Sequence, residues 1–379
     1  MRNDLVKEFL FDPHTIQLNH ASYGTPTRTS WDHIARLRRE LELDTASHLG
    51  DRLAHQFEDV SRTVRAFLGL TGGELTFTLN STEGHETVAR SLIASGHGFS
   101  ISLRDDEYES MKSTWLVGVE PQSHGVSVTI HDGPLSGVHP TPDVSVASVV
   151  ASSTARLSDP REAAASWVSV IDASHAPGHV DLAPWLSLKR PTAIIGSLHK
   201  WIPAVRPVGF IWLSDDWPVA LRPAVASLRE SYSTALELLS WRGTWDTTPH
   251  LAVPVALTQW SEWRDDGLIA DSEALTDVAS AALDVIGIAE WNAPACRAPR
   301  LRSFVVPGVD VEELKAEFKR ARINTWIGAH RGQSIIRLSF NIYNNSFDVE
   351  RVVDVLKGCS GKRHSYPPMT ETPSSWLGK

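Results

Sequence analysis

Cysteine is scarce: Cys296 and Cys359 are the only two in 379 residues. Two thiols make no disulfide framework, and a reducing, cytoplasmic setting is expected. Long apolar runs are missing as well. The N-terminus soon meets Asp12-Pro13-His14, so neither a signal peptide nor a membrane helix is expected. No cluster of Lys and Arg offsets the formal charge of −9, which argues against a nucleic-acid partner and favours small molecules or proteins. Metal-ligand spacing is lacking too. His85-Glu86 could open a zincin helix, but no second His follows three residues on, and no Cys pairs flank a His pair, so no metal is expected. No Gly/Ser linker, low-complexity run or repeat divides the first 355 residues.

What is present is a globular composition, 42% hydrophobic and 21% charged, sufficient for a sizeable core. Leu53, Phe57, Val60, Val64 and Phe67 alternate steps of four and three, which predicts a helix over 52–68 ended by Gly69. Leu75 to Thr78 reads as a strand running into the polar Asn80-Ser81-Thr82-Glu83-Gly84, then a helix from about His85 to Leu92. The short apolar runs Trp167 to Ile171, Thr192 to Ile195 and Val208 to Leu213 read as buried strands. Helical segments between them predict an α/β fold with a mainly parallel sheet covered on both faces, whose ligands bind beyond the carboxyl ends of the strands. After about residue 250, Val311, Leu314 and Phe318 mark one helix, Ser334 to Tyr343 a strand, and Val349, Val352, Val353 and Leu356 a second helix stopped by Gly358.

Lys200 follows a buried strand, where its side chain would face a cleft. Alone it reads more readily as a surface lysine whose stem snorkels. Asp172 also closes a buried strand and, alone, reads as a turn or cap residue. A carboxylate held there can pair with a protonated pyridine nitrogen. Asn80-Ser81-Thr82 at a helix start is either an ordinary N-cap or a phosphate site of backbone N–H groups, hydroxyls and helix dipole, with Ser197 and His199 adding donors. Taken together, Lys200 and Asp172 favour the functional reading.

At this point the chain resembles pyridoxal 5'-phosphate (PLP) enzymes of fold type I, in the class V aminotransferase branch and its isopenicillin N epimerase-like members. The resemblance runs from about Gln17 to Asp348. It is carried by Leu18 to Pro26, Asp172 to Gly178, His199-Lys200-Trp201, Gly243-Thr244-Trp245-Asp246, and Ile336 to Ser339 with Tyr343-Asn344. It implies Lys200 as Schiff-base lysine, Asp172 as partner of the pyridine nitrogen and His175 as donor to the ring hydroxyl. Ser81, Thr82, Ser197 and His199 become the phosphate cup, and Tyr108 the group stacked on the cofactor ring. Arg337, helped by Asn19, becomes the grip on the substrate carboxylate, a task that suits a planar guanidinium. Thr244 with Gly243 implies a homodimer with shared active sites. The implied organisation is an N-terminal segment over 1–20 near the active site, a large PLP-binding domain over 21–250, a small C-terminal α/β domain over 251–359, and a mobile tail over 360–379. Ala173 and Pro207 stand where the family commonly has glycine, and the region from Asp132 to Ser166 is shorter than usual.

The expected substrate is an amino acid, with Lys200 taking the α-proton. Desulfurases of the branch use a cysteine on the loop before the carboxylate-binding arginine. The stretch Asn324 to Ile335 has none, which disfavours that reaction. Epimerisation, with Tyr108 as proton donor on the opposite face, carbon–sulfur β-elimination and transamination all stay open, as does a non-catalytic PLP-fold binding protein.

Overall fold

The structure, a computed structural model, describes residues 4–95, 98–118, 120–163, 166–225 and 234–360. The expected tail therefore lies, from residue 361, outside the described residues. Seven stretches form one sheet: β1 (Glu74–Thr78), β2 (Ser100–Arg104), β3 (Ser127–His131), β4 (Val144–Ser148), β5 (Val168–Asp172), β6 (Thr192–Ser197) and β7 (Gly209–Leu213), in the order β1-β7-β6-β5-β4-β2-β3. β7 runs antiparallel to β6 and β1, and the remaining pairings are parallel. The inner strands are buried almost end to end, as apolar runs require when both faces are covered.

α1 (Arg28–Leu43) packs on neighbouring helices, and the helices that cover this sheet near the site are α2 (Leu53–Leu68) and α3 (Ser81–Ile93). α2 turns Leu53, Phe57, Val60, Val64 and Leu68 inward and ends at Gly69, whose left-handed φ closes the last turn. α3 starts earlier than the apolar spacing predicts. The Asn80 side chain accepts from the Glu83 amide at 3.0 Å, so the polar residues from Ser81 already belong to the helix. Gly84 lets α3 lie close on β6, since a Cβ there would sit 2.5 Å from Ile195 Cγ2.

Beyond residue 250 come α4 (Val253–Asp265), α5 (Leu268–Val285), α6 (Val311–Arg320) and α7 (Ser346–Ser360), with an antiparallel sheet of order β9-β10-β8 made by β8 (Leu301–Val305), β9 (Trp326–His330) and β10 (Gln333–Ser339). The inward faces of α6 and α7, with Leu314, Phe318, Val349, Val352 and Leu356, share a core with β8 and β10. The strand predicted over Ser334 to Tyr343 stops at Ser339. Past it, the Asn341 and Asn344 amides bond back within a tight turn, which removes the chain from the ladder. Gly358 does not stop α7, which continues to Ser360; its φ is not left-handed, so it offers no helix-ending turn. The loop expected over Asn324 to Ile335 is mostly the β9–β10 hairpin.

The N-terminal segment ties the two parts together. Ile16 and Gln17 pair in parallel with Ile323 and Asn324. Gly24 packs on the backbone of His199 and Lys200 so closely that a Cβ would overlap His199 O, and the Arg206 guanidinium donates to the carbonyls of Tyr23 and Gly24. This explains the glycine in the Leu18 to Pro26 motif. Among the described residues no helix is long and apolar enough to cross a membrane.

Candidate active site

The carboxyl ends of β1, β2, β4, β5 and β6 deliver the Asn80-Ser81 turn, Glu107-Tyr108, Ser148, Asp172 and Ser197 to Lys200 toward one edge of the sheet. Parallel strands make this possible, because each points the same end outward.

Lys200 Nζ lies 3.3 Å from His175 Nε2. Burial lowers the Lys200 ammonium to about 8, against a raising pull from Asp172 and with a further lowering push from Arg337. His175 is buried and held well below its usual range, first by burial and then by Lys200 and Arg337. Its Nδ1 is buried without a hydrogen-bond partner. Asp172 Oδ1 accepts from the Ser174 amide at 2.7 Å, and Oδ2 lies 3.1 Å from His85 Nε2. Burial alone would raise the Asp172 carboxyl, but His85, Ser174 and Lys200 outweigh it and hold it low. Glu107, the buried sequence neighbour of Tyr108, accepts from the Ser148 amide at 2.9 Å. Burial and the nearby Asp106 and Asp172 push it up to about 8, although Ser148 opposes them.

Arg337 on β10 is 2% exposed, and none of the ion pairs among the described residues includes it. Its Nη1 donates to the Ser152 carbonyl and hydroxyl, and its Nη2 to Ser22 Oγ at 2.6 Å and Asn19 Oδ1 at 3.5 Å. The Trp326 ring lies 5.3 Å beneath the guanidinium, and Nε is buried without a partner. Burial lowers the group to about 10, a shift that Tyr23 and Tyr108 partly offset. A buried cation without a counter-ion is costly and favours an arriving carboxylate. Tyr108 itself is 45% exposed, with no ring partner among the described residues.

Ser81 is buried at the first turn of α3, and Thr82 is exposed beside it. Ser197 is buried at the end of β6. His199 Nδ1 meets Val208, 3.1 Å from its amide and 2.9 Å from its carbonyl, and burial lowers the ring to about 4. The tautomer that accepts the Val208 N–H leaves Nε2–H as a donor. Thr244 is exposed in a loop whose neighbour Arg242 pairs with Glu83 at the start of α3. Lys200, His175 and Asp172 thus form one cluster, Arg337 with Asn19 adjoins it, and Thr244 makes no described contact with it.

Sequence reasoning passed over four groups. His85 was read only as half of a failed metal motif. His20, His179 and Arg300 are buried in one network: His179 stacks on Trp201 at 4.1 Å, the Arg300 guanidinium covers that indole at 4.6 Å, and His20 Nδ1 lies 3.0 Å from the Tyr343 hydroxyl. The aromatic Trp201 next to Lys200 was the available signal.

The residues fit PLP. An amine lowered to about 8, a buried anionic Asp172 and the orphaned Nδ1 of His175 supply a nucleophile, a partner for a ring nitrogen and a polar contact for a ring substituent. The fold matches cysteine desulfurases: one from Thermococcus onnurineus NA1 (TM-score 0.76, 15% identity, 95% of this chain and 99% of that one) and one from Escherichia coli (0.74, 17%, 93% and 97%). A NifS-like protein matches as well (0.74, 14%, 92% and 100%). The fold is that of fold type I, as the motifs implied. No family model matches the chain. Among individual proteins, it is similar to isopenicillin N epimerase of Streptomyces clavuligerus, 26% identical over 388 residues that cover 93% of this chain and 97% of that protein.

Proposed function

We propose that the chain acts at the α-carbon of an amino acid, removing the α-proton and returning it with inversion, as an epimerase. The observation that carries this is Lys200, whose amine is lowered to about 8 beside the unpaired cation Arg337. At pH 7 about one Lys200 in ten is then neutral and basic, against roughly one in three thousand at the ordinary value. Arg337 grips the substrate carboxylate, its fork aligned by Ser22, Ser152 and Asn19. The bound cofactor supplies the electron sink for the carbanion left behind. Asp172 holds the ring nitrogen, and the α3 N-terminus with Ser81, Thr82, Ser197 and His199 holds the phosphate. Tyr108 would cover the cofactor ring and offer its hydroxyl as the second proton donor, since His175 is turned toward Lys200. Likeness to isopenicillin N epimerase over nearly the whole chain supports this reading.

A carbon–sulfur β-lyase is the second reading, supported by the fold shared with cysteine desulfurases and by a hairpin that lacks cysteine. Cys359 is buried in the core, and Cys296 lies in a turn before β8, so persulfide chemistry has no nucleophile on that hairpin. We further propose a homodimer in which exposed Thr244 completes the neighbouring phosphate site. One experiment ranks the reactions: amino acids, cysteine conjugates and peptides bearing a free α-amino acid end are incubated in D₂O. Solvent deuterium at Cα with loss of chirality is expected. Pyruvate with ammonia would establish the lyase instead, 2-oxo acid formed only with an acceptor the aminotransferase, and neither exchange nor any of these products with any substrate would sink all three.

A further inference from the structure

His85 faces inward from the second turn of α3. It lies 87 residues from Asp172 in sequence, yet its Nε2 stands 3.1 Å from Asp172 Oδ2. On its other side the Trp115 indole donates to His85 Nδ1 at 3.3 Å. Trp115 is held for this by a single π-helical turn, Thr114–Gly118, of the kind that often marks functional positions. All three side chains are buried.

An indole N–H can only donate, so His85 Nδ1 must carry a lone pair. The one proton of the neutral ring is thereby forced onto Nε2, where it points at Asp172. Asp172 then receives two hydrogen bonds, from His85 and from the Ser174 amide, without receiving a proton. Lys200 and Glu107 are the other ionisable groups that bear on this carboxylate, and Glu107 is kept neutral by its burial.

We propose that His85 is a positioning residue, fixed in its Nε2–H tautomer by Trp115, which orients Asp172 and leaves its full negative charge to the ring nitrogen of the bound cofactor. The proposal rests on the PLP reading given above. It makes Trp115 part of the same device, two shells away from the cofactor.

Nitrogen NMR of the histidine rings tests it on the unloaded and loaded chain alike. His85 is expected as the Nε2–H tautomer in both, and an Nδ1–H ring would overturn the proposal. His85→Ala is expected to weaken PLP binding and lower kcat by about ten- to a hundred-fold with little change in KM, the scale of a hydrogen bond to a charged group. His85→Gln, whose amide still donates, should recover most of this. Trp115→Phe should keep the cofactor but release the tautomer, so that Nδ1–H of His85 appears in the histidine spectrum. Equal PLP affinity in the wild type and both His85 variants would also overturn it. A wild-type chain that binds no PLP would instead defeat the underlying functional reading, while the tautomer would still be measured.

Discussion

At the scale of single residues, the site depends on charges that burial has made unusual. Lys200→Ala should abolish both the visible absorption of bound cofactor and turnover, because no other amine lies in the cluster. Arg337→Ala should act mainly on binding: losing charge-assisted hydrogen bonds worth roughly 2–3 kcal/mol raises KM about 30- to 150-fold, with a smaller effect on kcat. Glu107 gives a stability prediction. Its folded pKa, about 8, stands above the ordinary 4.5, so its contribution is fully present below pH 4.5 and is lost as pH rises toward 8. Urea midpoints should therefore fall across that window, and Glu107→Gln should flatten the fall; an unchanged slope would show that Glu107 is ionised in the fold. Lys200 and Asp172 were legible because each ends an apolar run, a position that aims a side chain at the ligand edge. His85 was not, since its partner is brought to it only by the sheet.

At the scale of elements, tight backbone contacts fix where the site begins. Gly84→Ala tests this on α3. Alanine is intrinsically better in a helix by about 1 kcal/mol, but its Cβ would meet Ile195 Cγ2 at 2.5 Å against an immobile inner strand. Overpacking of about 1–3 kcal/mol wins, so a lower urea midpoint and weaker PLP binding are expected. A stabilised variant would mean that α3 can shift without cost. Strand positions were readable from apolar runs, and α2 from its stripe and Gly69. Strand direction was not readable: β7 is as apolar as β6, and a strand buried on both faces carries no mark of the way it runs. The start of α3 was missed because polar residues at a helix N-terminus answer to capping rather than to periodicity.

At the scale of the molecule, the proposed shared sites make a stoichiometric prediction. If Thr244 serves the neighbouring phosphate site, co-expressing Lys200→Ala and Thr244→Ala chains produces mixed dimers with one intact site, made of Lys200 from one chain and Thr244 from the other. Random assortment restores roughly a quarter of wild-type sites. No restoration, measured as PLP-dependent turnover, would place Thr244 in its own chain's site or outside any.

The strap at the N-terminus also sets the order in which the molecule can be made. Ser339 Oγ donates to the Leu18 carbonyl across 321 positions of chain, and Ile16 and Gln17 find their partners at Ile323 and Asn324. Residues 16–18 are thus made some three hundred residues before the neighbours they pair with. Lys200 and Asp172 emerge well before Arg337, so the proposed carboxylate grip can close over them only once the later strand has been made. A chain interrupted before residue 337 carries Lys200 without the arginine proposed to select its substrate.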